Sequence, residues 1–186
     1  MSQQPLLVVI HGAPGVGKTT LCRELTRRVK LPALSKDHVK EDLLYRRLEQ
    51  SDRAFSMIEG EAAVMMLYAF ADTFLKKGRS VIIESAFYTE VSRGDMRHVI
   101  EKNNAKFLEI FCSADEAVRV ERFARRVESG ERHPGHLDGV IKPYEGLENY
   151  AKLELGDSID VDTSSLIADD VYQKITEMIQ ERTGEQ

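Results

Sequence analysis

Residues 12–19 read Gly12-Ala13-Pro14-Gly15-Val16-Gly17-Lys18-Thr19, a full match to the pattern GxxxxGK[ST]. Glycines at these places let main-chain N–H groups turn inward around a phosphate chain, where a β-carbon would clash or forbid the dihedrals. Lys18 adds a mobile positive charge. Thr19 opens a helix whose N-terminus carries its own partial positive charge, and its hydroxyl suits Mg²⁺. The octet follows the apolar run Leu6 to Ile10 and precedes Leu21, Leu25 and Val29, spaced every four residues, so it joins a strand to an amphipathic helix as the motif requires. A glycine-rich turn with no ligand is the competing reading. The context favours a nucleotide site in which residues 12–19, with Thr20 after them, bind ATP together with Mg²⁺.

Working outward, short apolar runs alternate with helix-length segments. Residues 6–11, the region around 33–35, 80–85, 106–112 and 158–161 read as strands. Val171, Ile175 and Ile179 repeat the four-residue spacing of a buried helix face, and Ser113 with Glu116 forms a capping box for the helix before Arg119. The expectation is an α/β fold: a three-layer arrangement with a five-stranded parallel sheet and helices on both faces. The 186 residues of the chain suit one domain, 1–186.

Composition narrows the function classes. Twenty-six Lys and Arg against 31 Asp and Glu give a net charge of -5, which disfavours a nucleic-acid coat or a binder of anionic membrane. A local basic groove stays open. No run is long enough for a membrane span or signal core, so a cytoplasmic protein is expected. Cys22 and Cys112 lack metal-site spacing and read as buried thiols.

Four further groups carry candidate chemistry. Asp37 falls where the second strand ends, beside the phosphate loop, and can take the proton of an acceptor hydroxyl or cap the next helix. Lys40, three residues on, is either an acceptor contact or a solvated helix lysine. Glu84 closes the run Val81-Ile82-Ile83 at a Walker B-like position, where it reaches Mg²⁺ through water, bonds the acceptor, or simply packs. Phe87, Tyr88, Arg93 and Arg97 follow, lining the acceptor pocket or, for the aromatics, filling core. Arg119, Arg122, Arg125, Arg126 and Arg132 cluster before Pro134 and Gly135, with Arg119, Arg122 and Arg126 near one helical face. Planar guanidinium groups clamp phosphoryl oxygens in pairs, so residues around 119–150 read as a lid with Arg126 and Arg132 as its phosphate contacts. His133 and His136 flank it, without the partners a metal site needs.

Guanine-reading NKxD and the serine-glycine signature of transporter ATPases are absent from the sequence, and hexameric AAA-type motors need a longer chain. The phosphate loop GAPGVGKTT, the segment SKDHVK, the strand VIIESAF, the stretch ERFARRVESGERHPGH and the late VDTSS together resemble the small P-loop kinases. That family includes chloramphenicol phosphotransferase, gluconate kinase, zeta-toxin-like kinases and the kinase domain of polynucleotide kinase. The resemblance spans nearly the whole chain. It implies that Asp37 acts on the acceptor hydroxyl, that an arginine-bearing lid closes over the phosphates, and that Asp162, Thr163 and Ser164 lie at the adenine. The expected function is ATP-dependent phosphoryl transfer to a hydroxyl of a small-molecule acceptor, with Lys18, Asp37, Arg126 and Arg132 as catalytic residues and Thr19 and Glu84 at the metal. A polynucleotide 5'-hydroxyl kinase and a nucleotide-binding regulatory ATPase acting on a protein partner are the alternatives.

Overall fold

Five parallel strands form the centre of the molecule, in the order β2-β3-β1-β4-β5. They are β1 (Leu6–His11), β2 (Ala33–Ser35), β3 (Val81–Ser85), β4 (Lys106–Ser113) and β5 (Asp157–Asp162). In this computed structural model residues 4–44, 53–129 and 147–184 are described. Each expected strand is present, with ends that agree to within one residue, and the expected α/β sheet class holds.

β1 is buried at every position because sheet neighbours flank it and helices cover both its faces. Leu6, Val8 and Ile10 pack with Leu21 and Leu25 of α1 (Lys18–Arg28) and Ile175 and Ile179 of the C-terminal helix (Asp169–Thr183). Leu7 and Val9 face the other way, into a core built with Ala63, Leu67 and Ala71 of a long helix (Arg53–Leu75) and with Met96 and Val99 of the helix Thr89–Lys102. The period-two alternation of a strand thus feeds two separate cores. In chain order the helices are α1, α2 (Lys36–His38, continued as a π-helical turn Val39–Leu44), α3 (Arg53–Leu75), α4 (Thr89–Lys102), α5 (Glu116–Glu128) and α6 (Asp169–Thr183).

The expected capping box at Ser113 and Glu116 is not formed. Ser113 ends β4, and its carbonyl accepts from the Thr163 amide at 2.8 Å. α5 starts only at Glu116, and the Asp115 amide donates to the Ser164 hydroxyl at 2.8 Å. A residue from the next strand's exit therefore does the work that local spacing had assigned to Ser113. Among the described residues no helix is long and apolar enough to cross a membrane.

Parallel pairing sets the level of the chemistry. Glu84 stands opposite Ile10 and Ser35, and Ser113 opposite Asp162, so the carboxyl ends of the strands gather at one edge, where ligands bind in open α/β sheets. β1 leaves the sheet at Gly12 with φ 145°, and a β-carbon there would run into the carbonyl oxygen of Cys112. Gly12→Ala should cost about 3 kcal/mol or more from the clash and the left-handed φ combined. Urea denaturation measures it, and a loss below about 1 kcal/mol would show that β4 gives way.

Candidate active site

The phosphate loop folds as its sequence dictates. Gly15 and Gly17 take φ of 84° and 81°, Gly17 forms the N-cap of α1 with no side-chain cap, and Val16 is drawn into the core beneath. Lys18 is buried, and its ammonium donates to the Ala13 carbonyl at 2.9 Å. Burial pushes the Lys18 pKa down, while the charges of Glu84 and Asp37 hold it up.

Glu84 sits under the loop, 3% exposed. The Thr19 hydroxyl donates to its Oε2 at 3.4 Å, the long end of a hydrogen bond. Burial raises its pKa from 4.5 to about 7; Asp37 adds to the rise, and Lys18 and the Thr19 hydroxyl oppose it. Lys18, Asp37 and Glu84 therefore share one electrostatic neighbourhood, with Lys36 at its margin. Thr19 and Glu84 also line a hollow of about 300 Å³ with Ser35 and His38. Thr19, Glu84 and Asp37 offer hard oxygen donors, the type that Mg²⁺ takes.

Asp37 does not cap α2, because Ser35 holds that place and accepts from the His38 amide. Lys40 is not solvated: it is 5% exposed and donates to the Ser56 hydroxyl at 2.7 Å. Of the residues after Glu84, Phe87 is core, stacked against Tyr68. Tyr88 is exposed and stacks on Tyr150. Arg93 grips the main chain at Lys152 and Leu153, and Arg97 is exposed on α4.

α5 lies across the phosphate loop. A β-carbon on Gly15 would stand 3.8 Å from the Arg126 Nη2 and 3.7 Å from the Arg119 Cβ, and one on Gly17 would be 3.6 Å from the Arg122 Nη1. Arg119, Arg122 and Arg126 thus share the loop-facing side, as their spacing suggested, whereas Arg125 is exposed. Arg132, His133 and His136, and most of the expected lid, lie outside the described residues. Arg122 donates to both the hydroxyl and the carbonyl of Thr163, and the Thr163 hydroxyl donates to the Val16 carbonyl at 2.6 Å. Thr163 is therefore a tie between loop and sheet. Ser164 donates its hydroxyl and amide to the Asp162 carboxylate, holding that carboxyl below its usual range. Beyond them, a groove of about 470 Å³ runs from Thr20 and Arg23 of α1 to Leu166, Ile167, Ala168 and Tyr172. Sequence reasoning missed this groove and the Arg122–Thr163–Val16 tie, which joins residues remote in sequence.

The AAA domain family matches residues 7–140, a stretch that takes in the loop, Asp37, Glu84 and α5. The chain belongs to this family. A candidate kinase of Chloroflexus aurantiacus J-10-fl is 33% identical, with 97% of this chain and 99% of that one aligned at a TM-score of 0.84. Shikimate kinase of Paracidovorax citrulli (strain AAC00-1) is 45% identical over 58 residues, which are 31% of this chain and 30% of that enzyme. Mycobacterium tuberculosis APS kinase, solved in complex with AMPPNP and APS, shares the fold at a TM-score of 0.67 and 17% identity, over 96% of this chain and 99% of that one. The small P-loop kinase family expected from the motifs is the one found.

The raised Glu84 carboxyl has a measurable consequence. Its folded-state pKa lies above the unfolded value, so the folded state holds the proton more tightly; the stability this contributes is present below about pH 4.5 and lost as pH rises through about 7. Without nucleotide, the stability of the wild type relative to Glu84→Gln should fall by on the order of 2 kcal/mol between pH 5 and 8, because the opposite titration of buried His11 is common to both proteins. Urea melts at both pH values check this, and parallel pH dependence in the two proteins would assign the titration elsewhere.

Proposed function

We propose that this protein transfers the γ-phosphoryl group of Mg²⁺·ATP to a hydroxyl group of a small-molecule acceptor. The observation that carries this reading is the meeting of Lys18, Asp37 and Glu84 at the phosphate loop, with Arg126 on α5 leaning over Gly15. Phosphoryl transfer asks a protein mainly for positioning and charge stabilisation, and these groups supply both.

In this reading the main-chain N–H groups of residues 12–19, Pro14 excepted, and the Lys18 ammonium hold the β- and γ-phosphates, with Thr20 beside them. Mg²⁺ would be held by the Thr19 hydroxyl and the Glu84 carboxylate and would offset phosphate charge. The base and ribose lie at the exit of β5, from Asp162 and Thr163 into the groove walled by Leu166 and Ala168. Asp37 accepts the acceptor's hydroxyl proton while the oxygen attacks the γ-phosphorus; the bond from that phosphorus to the bridging oxygen breaks, and ADP leaves with the electron pair. Arg126, and Arg132 from the expected lid, meet the charge that spreads over the equatorial oxygens. The relatives named shikimate kinase, 45% identical over 58 residues, and APS kinase support a small acceptor over a polynucleotide, as does the chain's net charge of -5.

Three substitutions separate the roles. Lys18→Ala should lower turnover by at least about 10²-fold with the fold intact. Asp37→Asn should lower transfer by ~10²- to 10⁴-fold while Mg²⁺·ATP still binds. Arg126→Ala should lower kcat more than nucleotide affinity, since its contact strengthens in the transition state. The assay follows ADP release against a panel of sugar acids, polyols, hydroxylated cyclic acids and oligonucleotides. Phosphorylation of oligonucleotide ends alone, or unchanged turnover in Lys18→Ala, would refute the proposal.

A further inference from the structure

His11 is the last residue of β1 and is fully buried. Its side chain leaves the sheet on the face of Leu7 and Val9, between the rings of Phe87 at 5.8 Å and Phe111 at 5.6 Å. The Phe87 amide donates to Nδ1 at 3.2 Å. Nδ1 is therefore an acceptor, so in the neutral ring the proton sits on Nε2, which donates to the Ala151 carbonyl at 2.9 Å.

The stretch it reaches, residues 149–153, is held by side chains that grasp its main chain. The Thr89 hydroxyl lies 2.7 Å from the Ala151 carbonyl and 3.1 Å from that of Asn149. Arg93 donates to the carbonyls of Leu153 and Lys152, and the Leu153 amide donates to the buried Glu109 carboxylate at 2.9 Å. Thr89 and Arg93 stand on α4 and Glu109 on β4. His11 alone of these four adjoins the phosphate loop, since Gly12 is the next residue, and its second partner, Phe87, lies three residues past Glu84. One imidazole thus bonds to the exit of the Glu84 strand and to the 149–153 limb while the chain carries it into the phosphate cradle.

We propose that His11 is a positioning residue: its neutral Nε2–H form holds the phosphate loop, the exit of β3 and the 149–153 limb in the one relative placement that supports phosphoryl transfer. The proposal rests on the reading of residues 12–19 as the ATP site. His11 lends no atom to that cradle, so its loss should spare nucleotide affinity and cost turnover, because reacting groups misplaced by about 1 Å can lose ~10²-fold. A protonated ring could not accept from the Phe87 amide and would set a second buried cation near Lys18; burial pushes the His11 pKa down to about 4, against the main-chain hydrogen bonds at Ala151 and Ser85, which raise it.

Two half-isosteres dissect the contact. His11→Asn keeps an acceptor near Nδ1, for Phe87, and loses the reach to Ala151; His11→Gln places an amide donor near Nε2 and loses Nδ1. With ATP hydrolysis as the turnover probe, His11→Asn should lower kcat by about 10-fold with the ATP Kd within about 3-fold, and His11→Gln should recover most of that kcat. Hydrogen exchange in the nucleotide-free protein needs no ATP site: His11→Asn should speed exchange in peptides covering residues 149–153 and residues 12–17 together. Thr89→Val, which removes the other donor to Ala151, should be non-additive with His11→Asn in both readouts. Should the wild type neither bind nor hydrolyse ATP, the site reading fails and the exchange arm alone decides the linkage. The positioning role is overturned if exchange quickens in only one of the two segments, or if Asn and Gln lower Tm, ATP affinity and kcat in parallel.

Discussion

The carbonyl oxygen of Cys112 occupies the space that a side chain at position 12 would need. β4 pairs with β1 residue for residue up to His11 opposite Phe111 and then runs on to Ser113, so the chain leaving β1 must turn beside a strand that continues. Only glycine passes there, and the turn it makes becomes the phosphate loop. Val16 then drops into the core shared by α1 and α6, which seats the loop on the sheet edge and aims the N-terminus of α1 at whatever the loop encloses. The residues of the proposed site that are described are all placed relative to this exit. Glu84 is level with Ile10 through β3, and Asp162 is reached across Ser113 through β4.

Two opposite charges are buried beside that exit, and neither is there for stability. Desolvation pulls Lys18 down and pushes Glu84 up, and each offsets part of the other's cost; burying opposite charges in such a place is at best near break-even for folding. The low dielectric that makes the pair costly also makes each charge act strongly on a bound phosphate or cation. Ser35 taking the α2 cap belongs to the same economy, since it removes from Asp37 the helix-capping role open to it on sequence.

The three central strands were legible because they are apolar runs whose burial is decided by their own composition: β1 and β3 are buried throughout and β4 over most of its length. The loop was legible because its glycines, lysine and threonine are needed at fixed spacing for one ligand. What escaped was settled by partners distant in sequence. Lys40 read as either an acceptor contact or a solvated helix lysine, and α3 brings Ser56 over it. Phe87, open on sequence between pocket and core, is core because Tyr68 and His11 flank it, and Arg93 holds main chain some 60 residues on. Ser113 lost its cap to Ser164, which β5 delivers to the start of α5. In each case a tertiary neighbour decided what local spacing had left open or assigned otherwise.

The same long-range contacts explain how a loop with three glycines in eight residues is kept in shape. A trans peptide is planar, so its C=O and N–H point in opposite directions, and fixing one fixes the other. The Thr163 hydroxyl takes the Val16 carbonyl, which turns the Gly17 N–H the opposite way. Arg122 in turn holds Thr163 through both its hydroxyl and its carbonyl, so an arginine on α5 controls an amide in the loop without touching it. Lys18 takes the Ala13 carbonyl, and the nitrogen of that peptide belongs to Pro14, which has no hydrogen to misdirect. Glycine supplies the dihedral freedom the turn requires, and hydrogen bonds to the loop's carbonyls remove the freedom it does not. Preorganisation of this kind lets amides stabilise developing charge with little reorganisation, so in the phosphoryl transfer proposed above residues far from the loop in sequence would share in its chemistry.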